Sequence, residues 1–222
     1  QTCALPIWRA PLDEGSVGGG TGMNCYEYKG GSGTASRVVR YAGTAYTVGV
    51  FLQCNFGARD ELVIAGVPVG RELGDDNPVR EHFAAPPGAG SCIAVVLTDA
   101  PLLPGQCQAL ARRVTTGLAR TGTTGSHFSG DLFLAQSVGN PGGITPGFRT
   151  LYPGAYGRLD RLDFVPWGYL DRFYDAVVHA TEEAVIDAMV ANTEMIGQHG
   201  RRSPALPHDR VVSALRQRGA IV

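Results

Sequence analysis

Apolar and polar positions along the chain predict an alternating series of strands and helices. The segment Ala45–Gln53 alternates apolar with polar residues and is rich in β-branched side chains, which is typical of a strand. Helical spacing of apolar residues predicts three helices. The further predicted strands are Glu61–Val69, Ile93–Leu97 and Asp131–Ser137, and the predicted helices are Gln106–Arg120, Trp167–Met195 and Val211–Leu215. This alternation predicts an α/β fold of two or more layers.

Two of the predicted strands have a composition that indicates burial. Ile93–Leu97 is a continuous apolar run of strand length, which predicts a strand covered on both faces. Asp131–Ser137 is predicted to be a second buried strand. In the helix Gln106–Arg120, one face carries the apolar side chains, and its arginines form the solvated side.

Glycine and proline divide these elements. The chain has 31 glycines, and the segment Gly15–Gly33 is so rich in them that it is predicted to be loop or closely packed backbone. Residues Gly70–Gly90 are polar and rich in Pro and Gly, which predicts an exposed, flexible linker. Further loops are expected at Thr121–Gly130 and at Pro141–Pro166, the second of them over an opening.

Composition excludes several classes of partner. A length of 222 residues suits one domain or a large part of one. The net charge is −1 and there is no basic run, which argues against nucleic acid as a partner. No apolar stretch reaches the about 20 residues that span a membrane, so no membrane partner is expected either.

The cysteines lie in apolar patterns rather than at metal-binding spacings. Cys25, Cys54, Cys92 and Cys107 show neither a CxxC pair nor a Cys/His cluster, so we expect small core residues, no metal site and no cofactor. Free thiols suit a reducing compartment, which favours the cytoplasm.

The first residues stand apart from the rest of the pattern. QTCALPI, at residues 1–7, is the translation of a common sequencing adapter in one reading frame. We therefore expect Gln1 to about Trp8 to lie outside the natural protein, and the chain to lack the protein's own N-terminal part.

The strongest candidate for chemistry is Ser91, which follows Ala89 and Gly90 at the entry to a core strand. Glycine on the acyl side permits an unusual backbone at a scissile peptide. Attack of the Ser91 hydroxyl on the Gly90 carbonyl would cut the chain and release a new α-amine, whose reference pKa of about 7.7–8 suits a general base. One residue would then supply both nucleophile and base. A serine that opens a strand after a glycine loop is also an ordinary turn residue.

Three other features converge on the same chemistry. Ser129 and Asp131 flank a glycine at the mouth of the second strand, where they could orient and charge-balance the Ser91 ammonium. Asn55 ends the strand Ala45–Gln53 and carries an amide that could stabilise an oxyanion. The Gly15–Gly33 segment could line a cleft with backbone donors. Each of these segments also has an ordinary interpretation as a turn, and Tyr26 could be either a core or a binding residue.

Together, these segments resemble the DmpA/BapA-type aminopeptidases, which are self-processing hydrolases with an N-terminal serine nucleophile. The resemblance extends from Gly15 to Val222. It is carried by GSVGGGTGMNCYEYKGGSGTASR, FLQCNFG, AGVPVGREL, GSCIAVVLTDAPLLP, SGDLFLA and MVANTEMIGQHGRRSPALPHDRV, in this order.

The resemblance implies a fold and a set of residue roles. The fold is an αββα sandwich, here incomplete at its N-terminus. Residues 9–90 would be the C-terminal part of an α-subunit, and residues 91–222 a β-subunit that begins at the nucleophile. Cleavage between Gly90 and Ser91 would separate the two. The implied catalytic residues are Ser91, Asn55 as the oxyanion donor, and Ser129 and Asp131 as the groups that position the amine; Tyr26, Gly30 and Gly31 are expected to contact substrate.

The resemblance also implies an activity and its partners. Family members release N-terminal residues from small peptides, amides and esters, need no metal or cofactor, and assemble as oligomers of αβ units. Cys92 departs from the family pattern, in which an aliphatic residue usually follows the nucleophile. The alternatives are an acyltransferase of the ornithine-acetyltransferase type, for which threonine rather than Ser91 is expected, and a non-catalytic or inactive fragment of the same fold.

Overall fold

A four-stranded mixed sheet forms the centre of the computed structural model, which describes residues 12–82, 86, 88–144 and 159–221. Its strands lie in the order β3–β4–β5–β6; β3 pairs antiparallel with β4 and β4 with β5, whereas β5 and β6 are parallel. These strands are β3 (Gly31–Tyr41), β4 (Thr44–Asn55), β5 (Ser91–Thr98) and β6 (Leu132–Ser137).

Two small antiparallel ladders and five α-helices complete the described elements. The ladders pair β1 (Asn24–Cys25) with β2 (Tyr28–Lys29), and β7 (Met195–Ile196) with β8 (Arg202–Ser203). The α-helices are α1 (Val69–Glu72), α2 (Pro78–His82), α3 (Pro104–Arg120), α4 (Asp171–Val190) and α5 (His208–Gln217). Short 3₁₀ turns lie at Gly18–Gly22, Arg59–Glu61, Trp167–Tyr169 and Gln198–Gly200.

Helices α3 and α4 cover one face of the sheet, and the core lies between them and the strands. Helix α4 packs on β3 and β4, while α3 packs on α4 and β6. Alternate residues of each strand point toward these helices. The three predicted helices are confirmed as α3, α4 and α5. Helix α4 is shorter than predicted at both ends: it begins at Asp171, because Trp167–Tyr169 forms a separate 3₁₀ turn, and it ends at Val190, while Met195 lies in β7. The buried thiols Cys25, Cys54 and Cys92 are core residues, as predicted.

The opposite face of the sheet, here called the open face, exposes apolar side chains. Ile93 is 45% exposed, Leu132 66% and Leu134 51%. The prediction that β5 is covered on both faces and the prediction that β6 is a buried strand are therefore wrong for the described residues. The helix that connects β5 to β6 packs against one face of the sheet only. The continuous apolar run of β5 therefore has one face covered by helices and one face open.

Two predictions about the connecting segments need correction, and a third is resolved. The glycine-rich segment Gly15–Gly33, predicted to be loop or closely packed backbone, is closely packed and contains β1, β2 and the start of β3. The predicted strand Glu61–Val69 is not formed: Glu61 ends a 3₁₀ turn, Val69 begins α1, and an isolated bridge joins Ile64 and Val67 between them. The predicted linker Gly70–Gly90 contains most of α1 and all of α2, and the side chains of Leu73 and Val79 are buried. Many of its described residues are exposed, as predicted, but its first part is helical and anchored to the core rather than a linker without structure.

Some predictions fall on residues that the structure does not describe. These are the adapter-like residues 1–8, most of the loop at residues 141–166, and parts of the segment just before the candidate cleavage site. The described residues contribute one sheet with helices on one face, which corresponds to one αβ half of the predicted αββα sandwich.

Candidate active site

Ser91 and Asn55 face each other on the open face of the sheet. Ser91 is the first residue of β5, and its antiparallel partner is Asn55, the last residue of β4. Directly opposed residues place their side chains on the same face, and Ile93, two positions after Ser91, shows that this face is the open one. The sheet register thus brings together two residues that are distant in the sequence.

Gly90 has a backbone conformation that only glycine adopts easily. Its φ is +149°, and a Cβ built on it would lie 1.9 Å from the carbonyl oxygen of Asn55. Any L side chain at this position would therefore be both strained and in collision with β4. The peptide between Gly90 and Ser91 is held tightly against the end of β4.

The Ser91 hydroxyl oxygen is fixed by a backbone donor. The Gly130 N–H donates a hydrogen bond of 2.9 Å to Ser91 Oγ. Gly130 lies just before β6, which is the parallel neighbour of β5. This bond leaves the hydroxyl proton of Ser91 free to be donated elsewhere.

Asp131 links the start of β6 to the start of β5. Its Oδ1 accepts hydrogen bonds from the Cys92 N–H at 2.8 Å and from the Ser129 hydroxyl at 2.5 Å. The carboxylate is thereby held beside the main chain that immediately follows Ser91. An ammonium group at the Ser91 nitrogen would find a negative charge and a hydroxyl close by.

The Asn55 amide is oriented by a residue that sequence reasoning missed. The backbone N–H of Asn24, in β1, donates a hydrogen bond of 3.0 Å to Asn55 Oδ1. Because a backbone N–H can only donate, the side-chain oxygen of Asn55 must face it, and the Nδ2 donor points away. No sequence signal could have revealed this contact, since Asn24 acts through its main chain.

A buried lysine shapes the loop that carries Asn24. Lys29 is 1% exposed, and its ammonium group donates hydrogen bonds to the carbonyls of Gly20 (3.1 Å), Met23 (2.6 Å) and Gly30 (2.9 Å). Burial lowers the pKa of Lys29 to about 8. The three carbonyls fold the backbone around the ammonium and so fix the position of Asn24.

A buried arginine, Arg59, fixes the position of the segment that follows β4. The Arg59 guanidinium is 2% exposed and donates to the carbonyls of Tyr26 (3.2 Å), Glu27 (2.5 Å), Leu73 (3.2 Å) and Asp76 (2.9 Å). It also lies 3.6 Å from the centre of an aromatic ring, that of Tyr28. Burial lowers the pKa of Arg59.

A cavity of about 480 Å³ adjoins the Gly90 backbone. It is bounded on one side by the segment that precedes Ser91 and on the other by β1, the end of β4 and α2. Its lining includes Gly22, Asn24, Glu27, Asn55, Arg80 and Gly90. Among the described residues, Asn24 Oδ1 is one of two buried side-chain polar atoms without a hydrogen-bond partner.

The three predicted substrate contacts are not part of this site. Tyr26 is 0% exposed, and its hydroxyl bonds to Thr121 Oγ1 at 2.6 Å, so it is a core residue. Burial raises the pKa of Tyr26. Gly30 and Gly31 are buried too, and a Cβ on either would strike backbone atoms, which means that they serve close packing rather than substrate contact.

No group of three or more His, Cys, Asp or Glu side chains within the described ranges is arranged to hold a metal ion. None of the helices among the described residues is both long and apolar enough to cross a membrane.

Comparison with known proteins points to one family. A family model described as Peptidase family S58 matches residues 3–203 of the chain. The chain is 40% identical over 216 residues to the β-peptidyl aminopeptidase BapA of Sphingosinicella microcystinivorans, an alignment that covers 93% of this chain and 52% of that protein.

Solved structures give the same result. One is the L-aminopeptidase D-Ala-esterase/amidase of Ochrobactrum anthropi, described as a prototype for the serine aminopeptidases and a new variant among the Ntn hydrolase fold. It superposes on this chain with a TM-score of 0.81 and 38% sequence identity, and the match covers 96% of this chain and 55% of that one. A β-aminopeptidase of Burkholderia sp. superposes with a TM-score of 0.77 and 39% identity, over 94% and 55%. The fold prediction is confirmed, and the chain spans about half the length of these relatives.

Proposed function

Because the chain belongs to peptidase family S58, we propose that it carries the nucleophile-bearing part of a self-processing serine aminopeptidase. The observation that carries the proposal is the convergence on Ser91 of three separate groups. The Gly130 N–H holds its hydroxyl oxygen, the Asn55 amide lies directly opposite, and the Asp131 carboxylate is bound to the next residue, Cys92.

The first reaction cuts the chain itself. The Ser91 hydroxyl oxygen attacks the Gly90 carbonyl carbon, and the C–N bond to Ser91 breaks as the nitrogen takes up a proton. The result is an ester between Gly90 and the Ser91 oxygen, with a free α-amine on Ser91. Water then hydrolyses the ester, which leaves a carboxylate at Gly90 and a new N-terminus at Ser91.

The second reaction uses the same atoms on substrate. The α-amine of Ser91 takes the hydroxyl proton, the oxygen attacks the substrate carbonyl, and the oxyanion accepts hydrogen bonds from Asn55 Nδ2 and backbone donors. The amine returns the proton to the leaving group, and water releases the acyl residue. Asp131 and Ser129 position the amine and balance its charge.

The proposed substrates are small peptides, amides and esters, from which the enzyme releases the N-terminal residue. The relatives that cleave β-peptides and D-alanyl esters define the compounds to test, namely L-, D- and β-amino acyl anilides. We further propose that residues 9–90 and 91–222 stay together after cleavage as an αβ unit, and that several such units assemble.

The decisive experiment compares Ser91→Ala with Ser213→Ala in the complete protein. Ser213 is an exposed serine on α5. We expect Ser91→Ala to abolish both chain cleavage and anilide hydrolysis, and Ser213→Ala to retain both. Substantial hydrolysis by Ser91→Ala would refute the assignment, and transfer of the acyl group to an added amino acid in preference to water would favour an acyltransferase.

A further inference from the structure

Three cysteine thiols meet in the core directly behind the candidate site. Cys25 and Cys54 are 0% exposed and Cys92 is 1% exposed, and burial together with the neighbouring Cys25 and Cys92 thiols raises the pKa of Cys54. None of the three has a role in the reactions described above. Each is next in sequence to a residue of the site: Cys25 follows Asn24, Cys54 precedes Asn55, and Cys92 follows Ser91.

Cys54 and Cys92 occupy a particular kind of position in the sheet. They are direct cross-strand partners in the antiparallel β4–β5 ladder. The Cys92 N–H donates to Asp131 on the other side of β5, so it is not available to Cys54. The pair is therefore a non-hydrogen-bonded pair, in which the Cα atoms lie about 4.5 Å apart.

This spacing suits a covalent link. Disulfides join cysteines whose Cα atoms are about 4.4–6.8 Å apart, so the two strands need not move substantially to form one. Both side chains point to the covered face, since both are buried while Asn55 and Ser91 occupy the open one. Cys107, the other described cysteine, lies on α3 and has no such partner thiol.

We propose that Cys54 and Cys92 form a reversible disulfide when the chain is exposed to glutathione disulfide. In two successive exchange steps the two thiols lose their protons and one S–S bond forms between them. Glutathione disulfide accepts the two electrons and is released as two molecules of glutathione. Burial and the neighbouring thiols raise the pKa of Cys54, which makes the reaction slow in the folded chain.

The position of this disulfide has a consequence for the cleaved protein. Cys54 precedes the Gly90–Ser91 bond and Cys92 follows it, so the link would join the two products of cleavage covalently. It would also fix Asn55 opposite Ser91 after the peptide between the two parts is cut. The disulfide itself does not depend on cleavage, whereas this consequence rests on the proposed function.

The test maps the cross-link by mass. The full chain and its Ser91→Ala variant are unfolded and refolded in a buffer of reduced and oxidised glutathione, which gives the oxidant access to all thiols. Free thiols are then alkylated, and the digested peptides are analysed. We expect a Cys54–Cys92 peptide in both proteins, its loss in Cys92→Val, and its retention in Cys107→Ala.

Electrophoresis tests the consequence for the cleaved protein. Cleaved, oxidised wild type should run as one band without reductant and as two bands with it. The proposal is overturned if Cys54 and Cys92 are recovered as alkylated thiols while Cys107 is glutathionylated, or if Cys54 pairs with Cys25 instead. A cross-link in Ser91→Ala together with a wild type that never cuts would support the disulfide and refute self-cleavage.

Discussion

Replacing Gly90 by alanine tests how tightly the scissile peptide is held against β4. The new Cβ would lie 1.9 Å from the Asn55 carbonyl oxygen, where ordinary contact begins at 3.4 Å. The φ of +149° is also outside the range that alanine adopts readily. The chain must therefore either move away from Asn55 or push the end of β4 out of register.

The magnitude follows from two costs. A residue held in a glycine-only backbone region costs about 1–3 kcal/mol, and an extra methyl group forced into a packed site costs about 1–3 kcal/mol more. Gly88→Ala is the matched control. Gly88 also has a positive φ, of +79°, but its Cβ would meet no atom closer than 3.5 Å. We expect the control to lose only about 1–2 kcal/mol, which is the backbone cost alone.

The assays are urea unfolding and the time course of cleavage. Gly90→Ala should be less stable than Gly88→Ala by about 2 kcal/mol or more, and it should cut itself at least about 10²-fold more slowly, because a displacement of about 1 Å at a reacting centre has an effect of that size. Equal stability and equal cleavage of the two variants would refute the proposed fit of Gly90 against Asn55.

Three other substitutions test the oxyanion donor, a titrating carboxyl group and the buried arginine. Asn55→Ala should slow self-cleavage by about 10²–10³-fold, measured by intact mass over time, because an oxyanion donor is lost. Burial and the neighbouring Glu14 carboxyl group raise the pKa of Asp187 to about 6 from its ordinary 3.8, so the folded chain binds a proton more tightly than the unfolded chain does. The stability that this group contributes is present below about pH 4 and is lost as the pH rises through 6. Asparagine cannot ionise, so Asp187→Asn should keep this stability at neutral pH. Its free energy of unfolding in urea at neutral pH should therefore be higher than that of the wild type. Arg59→Lys should cost about 3 kcal/mol or more in the same assay, because three ammonium donors cannot replace the guanidinium fork among four carbonyls.

Each of these changes has a control on the same element or nearby. Gln53→Ala lies two residues before Asn55 on the open face, Asp175→Asn is exposed on α4, and Arg71→Lys is exposed on α1. Each control should leave its measured quantity nearly unchanged. A control that behaves like its partner variant would show that the effect is not specific to the residue named.

The sequence predicted β4, β5, β6 and the three long helices, because apolar spacing reports the type of each element. It did not predict β3, and it did not show that one face of β5 and β6 is open. It could not predict how they pair. Asn55 and Ser91 meet through the register of β4 and β5, which depends on the whole sheet. Asn24 and Gly130 act through backbone N–H groups, which leave no trace in residue type.

Glycine was an ambiguous signal. The segment Gly15–Gly33 was compatible with a loop or with closely packed backbone, and Gly33 shows the second, since it lies in β3, where a Cβ would be 2.0 Å from the Ala184 carbonyl of α4. Glycine here allows a helix to approach the sheet closely. The apolar run of β5 was equally ambiguous, since a strand with one open apolar face has the same composition as one that is covered twice.

Self-cleavage at Ser91, before any action on substrate, can be followed by the intact mass of the protein after incubation at neutral pH. We expect two species whose masses correspond to residues up to Gly90 and residues from Ser91, with cleavage absent in Ser91→Ala. A complete protein that stays uncut, or one that cuts equally well without the Ser91 hydroxyl, would contradict it.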